Sequence, residues 1–154
     1  MAQVIIKNMN DLTRILEVRI AKALEMTQRD IYIIIQKHIV EYYKEPVFQN
    51  GTSALPLLYD RSYKMLNSLI RTEIVKSGSS LSCFVGVNPD YLNYEYIGGA
   101  SGLDIWLSAN QRFHGWTVKG DIEIWNDSME EIGFEEGIKN LMKKNLKKCG
   151  VPIA

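Results

Sequence analysis

The sequence predicts an α+β fold in which a small antiparallel β-sheet packs against a long N-terminal helix and a C-terminal helix. Three patterns lead to it. From Asp11 to the residues before Pro46, apolar side chains recur every three or four positions, the period of one face of an amphipathic helix. Leu81, Cys83, Val85 and Val87 then alternate with Ser82, Phe84 and Gly86, the two-residue period of a strand. Met129, Ile132, Phe134, Ile138, Leu141, Met142 and Leu146 return to helical spacing near the end.

In chain order, Val4, Ile5 and Ile6 make either a short first strand or an N-terminal arm, and Asn10 is the candidate cap of the first helix. That helix carries Leu12, Leu16, Ile20, Leu24, Ile31, Ile35, His38 and Tyr42 on its main stripe, with a bend expected at Thr27 and an end before Pro46. Ile15, Ile33, Ile34, Ile39 and Val40 make it apolar on more than one face, more than a lone helix on a small domain can cover. Residues 47–56 read as a loop. Tyr59 to Leu69 then forms a short amphipathic helix capped by Asp60, with Met65, Leu66 and Leu69 on one side and Arg61, Lys64 and Ser68 on the other. Ile70 to Lys76 and Leu81 to Val87 are the arms of a hairpin turning at Ser77-Gly78-Ser79-Ser80. After Asn88-Pro89-Asp90 comes a helical turn or extended segment, then a glycine-rich stretch to Gly102 and a long aromatic loop from Leu103 to Gly120. Asp121 to Asn126 is the expected third strand, and Asp127 or Ser128 caps the last helix, which Gly133 and Gly137 divide or bend.

At 154 residues the chain fits one domain able to bury its own core without metal or disulfide support. Lys plus Arg and Asp plus Glu each number 18, so the basic excess of a typical phosphate-gripping protein is missing. A chain of zero net charge also has little self-repulsion, which suits self-assembly. Cys83 and Cys149 suggest neither a disulfide framework nor a metal cluster, and no run reaches membrane-spanning length or resembles a signal peptide.

The run Tyr59, Arg61, Ser62, Tyr63, Leu66, Asn67, Ser68, followed by Tyr91, Tyr94 and Gly98 in a Tyr-x-x-Tyr-x-x-x-Gly segment, resembles the minor tail-component family of tailed bacteriophages, the gene-product-ten-like neck and tail-completion proteins. Met65 stands where the family has its first Leu, Glu95-Tyr96-Ile97-Gly98-Gly99 replaces its Glu-Phe-Gly-Thr, and a Thr-Gly before the short helix is absent. The likeness extends in outline over most of the chain. It implies a structural virion protein, a homo-oligomeric ring at the head–tail junction that touches head-closure or connector and tail proteins and lets genomic DNA pass. Tail terminator or head closure is the alternative role. Its location would be the virion, after assembly in the host cytoplasm. Rings of roughly six or twelve copies suit a cyclic array around a DNA channel.

For chemistry the sequence offers no matched acid, base and nucleophile, so an enzyme is not expected and no cofactor is implied. His38 and His114 lack metal-ligand spacing, and a hydrolase built on His114 and Asp104 rests on residue presence alone. Residues 97–102 lack the Gly-Lys-Ser/Thr ending of a phosphate loop. Glu130, Glu131, Glu135 and Glu136 suit the positive end of the last helix, and Lys143, Lys144, Lys147 and Lys148 its negative end, where they also keep a nucleic-acid-binding module in view. The candidate subunit contacts are Tyr91, Tyr94, Tyr96, Trp106, Phe113 and Trp116, because aromatics bury large area with few rotors, although core filling competes with that role. Arg61 and Asn67 are expected to hold the short helix by polar contacts.

Overall fold

The first helix binds everything else together. In the computed structural model, which describes residues 8–44, 63–93, 103 and 124–153, α1 runs from Met9 to Lys44. Its cap is Asn8 rather than Asn10: Asn8 Oδ1 accepts from Asp11 N at 2.9 Å, three residues on, as a capping side chain must. Ala23, Thr27, Gln28, Ile31, Ile35 and Ile39 are buried, and Thr27 turns its hydroxyl back onto Ala23 O at 2.9 Å.

The motif helix α2 is short, Lys64–Ser68, and follows Tyr63 in a left-handed conformation; the proposed cap Asp60 lies outside the described residues. Met65 is buried as expected, but Ser68 is buried too, because its hydroxyl donates to Met65 O at 2.7 Å and so carries no unpaired group inward. Leu69 leaves the helix and opens β1.

The hairpin is present but interrupted. Strand β1, Leu69–Arg71, pairs antiparallel with β4, Val85–Val87, and β2, Val75–Ser77, pairs with β3, Ser80–Ser82, around a turn at Gly78 with φ +59°. Between the two pairings Thr72, Glu73 and Ile74 face only Cys83 and Phe84, so the first arm carries one extra residue, a bulge. Gln28, buried on α1, locks that bulge by donating from Nε2 to Thr72 O at 2.9 Å and Phe84 O at 2.8 Å. Leu81, Cys83, Val85 and Val87 are half-buried while Ser82 and Phe84 are exposed, as the alternation read from the sequence has it, but Gly86, expected outward with them, is buried beneath the Phe84 ring. A 3-10 turn, Pro89–Leu92, follows; Asn88 caps it through Oδ1 to Asp90 N, and Leu92 is buried.

The expected third strand is not one. Ile124 to Asn126 begin a helix, α3, Ile124–Ile132, and residues 121–123 lie outside the described residues. Ile124, Ser128 and Ile132 are buried and their neighbours Trp125 and Met129 pack against the same core, a helical stripe of adjacent pairs that a strand would split between its two faces. Ser128 is therefore inside the helix, where its hydroxyl back-bonds Ile124 O, and is not a cap. Gly133, at φ +85°, divides α3 from α4, Phe134–Lys148.

One core joins these parts: Ile31, Ile35 and Ile39 of α1 meet Met65, Leu69 and Leu92 as well as Ile124 and Ile132. Each such side chain contributes about 1.5–3 kcal/mol through burial. Toward its N-terminus α1 packs antiparallel on α4, with Arg19 Nη1 donating to Gly150 O at 2.8 Å and buried Asn145 donating from Nδ2 to Thr27 Oγ1 and Asp30 Oδ2. The fold is thus α+β, as predicted, with a bulged ribbon and two C-terminal helices in place of a three-stranded sheet and one helix.

Candidate interaction surface

The described parts of the two motif stretches, 63–68 and 91–93, lie far apart in sequence and side by side in the fold. Pairing of β1 with β4 returns the chain to α2, Asn88 N donates to Ser68 O at 2.8 Å, and α2 packs against the 3-10 turn. Tyr63 leads into α2 and Tyr91 lies in the 3-10 turn. Their exposures of 51% and 50% are too large for core-filling side chains, so each ring presents an apolar face to solvent. Tyr63 holds φ +54°, a conformation that costs a non-glycine residue about 1–2 kcal/mol.

Of the other expected motif residues, Leu66 is half-buried against the core and Asn67 is exposed. Tyr59, Arg61 and Ser62 of the motif, the aromatics Tyr94, Tyr96, Trp106, Phe113 and Trp116, and Asp104 and His114 all lie outside the described residues. Leu103 is exposed.

Several exposed apolar groups carry no sequence signal of their own. On the outer face of the ribbon Phe84 lays its ring over Gly86, where an added Cβ would meet Phe84 Cζ at 2.7 Å, and Val75 stands exposed across from Ser82. Alternation could place them outward but could not show that nothing covers them. Ile33 and Val40, two helical turns apart on α1, are also exposed, in keeping with the excess apolar surface read from that helix. Phe134 is exposed at the α3–α4 corner with φ +53°. Periodicity had assigned it to the buried side; the left-handed residue at Gly133 resets the helical phase and turns it out.

Among the described residues the titratable groups form no compact centre. Glu131 accepts from Lys37 Nζ at 2.7 Å and lies 2.8 Å from His38 Nε2, tying α3 to α1, and the Lys37 hydrogen bond holds its carboxyl below the usual glutamate range. Lys76 reaches Glu17 at 2.8 Å between ribbon and helix. Partial burial pushes the Cys83 thiol up, away from the reactive thiolate. Among the described residues no three His, Cys, Asp or Glu side chains are grouped to hold a metal ion, and no helix is long and apolar enough to cross a membrane. A groove of about 180 Å³ between α1, the ribbon tip and α4, floored by Ile20, Leu24, Leu81 and Met142, is smaller than an ordinary small-molecule pocket.

No protein-family model matches the chain, and no curated protein or solved structure is significantly similar to it.

Proposed function

We propose that the chain is a neck or tail-completion protein of a tailed phage virion, forming a ring at the head–tail junction through which genomic DNA passes. The observation that carries the reading is the packing of α2 against the 3-10 turn, which joins the described parts of the two motif stretches. Tyr63, which leads into α2, and Tyr91, in the turn, belong to the stretches on which the family likeness rests, and both are half-exposed. Aromatics placed so are the usual anchors of protein interfaces. Zero net charge and the exposed apolar groups of α1 and the ribbon favour contacts with other protein surfaces over a grip on nucleic acid.

Replacing both tyrosines by Asn tests this. Asn tolerates the left-handed backbone at Tyr63, so the fold survives while the anchors are removed. Complementing a phage that lacks the gene with Tyr63→Asn/Tyr91→Asn should leave filled heads and free tails unjoined. Infectious titre should fall by about a hundredfold or more, which corresponds to the loss of roughly 3 kcal/mol from each contact. Normal titre with a stably folded double variant would contradict the reading.

A further inference from the structure

The zero net charge conceals a division along the C-terminal helices. Asp127, Glu130 and Glu131 of α3 and Glu135 and Glu136 of α4 occur with no Lys or Arg among them, and all but Asp127 are exposed. The other end of α4 carries Lys143, Lys144, Lys147 and Lys148, all exposed and with no acidic residue between them in sequence, although a carboxylate of α1, Asp30, reaches that end by accepting from Asn145. Exposed Arg19 of α1 adds to that end, since it is held to Gly150 O.

Magnitudes decide what this means. A helix dipole amounts to about half a charge at each end, so whole charges in these numbers far exceed what dipole compensation calls for. Glu135 and Lys147 lie roughly 18 Å apart at 1.5 Å per residue. That is about twice the screening length at physiological salt, so the two ends present separate potentials and do not neutralise each other across the helix. Local pairs take up part of the acidic end, Glu135 bonding Lys139 at 2.8 Å as an exposed pair of neighbouring turns and Glu131 bonding Lys37 and His38, and leave Glu130 and Glu136 as its exposed, unpaired carboxylates among the described residues.

An aromatic stands in the acidic end. Phe134 sits between Glu131 and Glu135, exposed, in a left-handed conformation unfavourable for a bulky side chain. A ring flanked by carboxylates suits lysine, whose ammonium meets the carboxylates or the ring face while its methylene stem covers the ring edge.

We propose that the acidic end of one copy, centred on Phe134, docks on the lysine end of α4 in the next copy, head to tail. This contact deepens the ring reading and rests on it for the choice of a repeating, non-two-fold arrangement. A nucleic acid would satisfy the lysines alone and be repelled by the acidic end. A second copy satisfies both ends at once, and surfaces that differ on the two sides of a contact generate closed rings when the rotation permits.

The test uses the full chain at low salt. In a mixture of isotopically light and heavy copies, carbodiimide coupling should join peptides from 127–136 of one copy to peptides from 143–148 of another. Glu135→Lys/Glu136→Lys and Lys147→Glu/Lys148→Glu should each weaken self-association at least about tenfold. Mixing the two variants should restore it, because opposite charges then meet at every contact. Phe134→Gly separates folding from docking: it should raise the melting temperature by relieving the backbone and also weaken self-association.

A wild-type chain monomeric at all concentrations would overturn the proposal. So would unchanged association in the reversed variants, failure of their mixture to recover, a closed two-fold dimer, or capture of DNA by the lysines in place of a second copy. Charge-swap rescue in solution with a virion that lacks the protein would remove the phage reading and keep this contact. Virions carrying the protein at the junction but assembling normally with either reversed variant would do the opposite.

Discussion

Gln28→Glu should cost about 3–5 kcal/mol at neutral pH, the penalty for a buried charge with no partner. Gln28 is buried, and both of its contacts are donations to carbonyl oxygens, Thr72 O and Phe84 O, at the ribbon bulge. An ionised carboxylate has no hydrogen to offer and would face two oxygens. Burial raises the pKa of the introduced acid, so the loss should be small below about pH 4.3, the ordinary glutamate value, where the neutral acid can still donate to one carbonyl. It should grow as pH rises above that value. Gln28→Leu should cost less, about 1–3 kcal/mol, and should show no such pH dependence. Urea melts of the three proteins at pH 4 and pH 7 measure both effects.

Gly137→Ala should cost about 3 kcal/mol or more, although helix propensity argues for a gain of about 1 kcal/mol. The two effects differ in sign, so the experiment separates them. A Cβ at Gly137 would lie 1.6 Å from Ile132 O and 2.5 Å from Ile132 C, backbone atoms of the preceding helix that cannot swing aside as a side chain can. The α3–α4 corner would have to open, carrying Ile132 out of the core. Gly78→Ala is the comparison: its φ is +59° and an added Cβ meets nothing within 4 Å, so only the backbone cost of about 1–2 kcal/mol applies. Thermal melts should place Gly137→Ala about 6–12 °C below the parent. A variant as stable as the parent would mean that the two helices do not meet as described.

Long periodic patterns were readable because one face of each element is buried along its length. α1 and the outward and inward alternation of the second ribbon arm were legible for that reason, and Gly133 was legible as a divider. The bulge was not, because Thr72 to Ile74 differ from a regular strand only in the partner they face, and that partner is fixed by Gln28 from another element. Ile124 to Asn126 were misread because a short apolar run fits either period; the deciding signal, Ser128 and Met129 both facing inward side by side, comes later in the helix. At the candidate surface, the sequence named Tyr63 and Tyr91 separately, through two motifs. The juxtaposition of α2 and the 3-10 turn follows from the β1–β4 pairing, the base of the hairpin that the sequence pattern marks out. Phe134 was read as core because regular helical phase was carried through Gly133.

The most direct test of the proposed role is electron microscopy of intact virions with a mass tag on this chain. The tag should appear as a ring of density at the head–tail junction, with copies related by rotation about the tail axis. Density absent from the particle, or found on the capsid shell or at the distal tail tip, would contradict it.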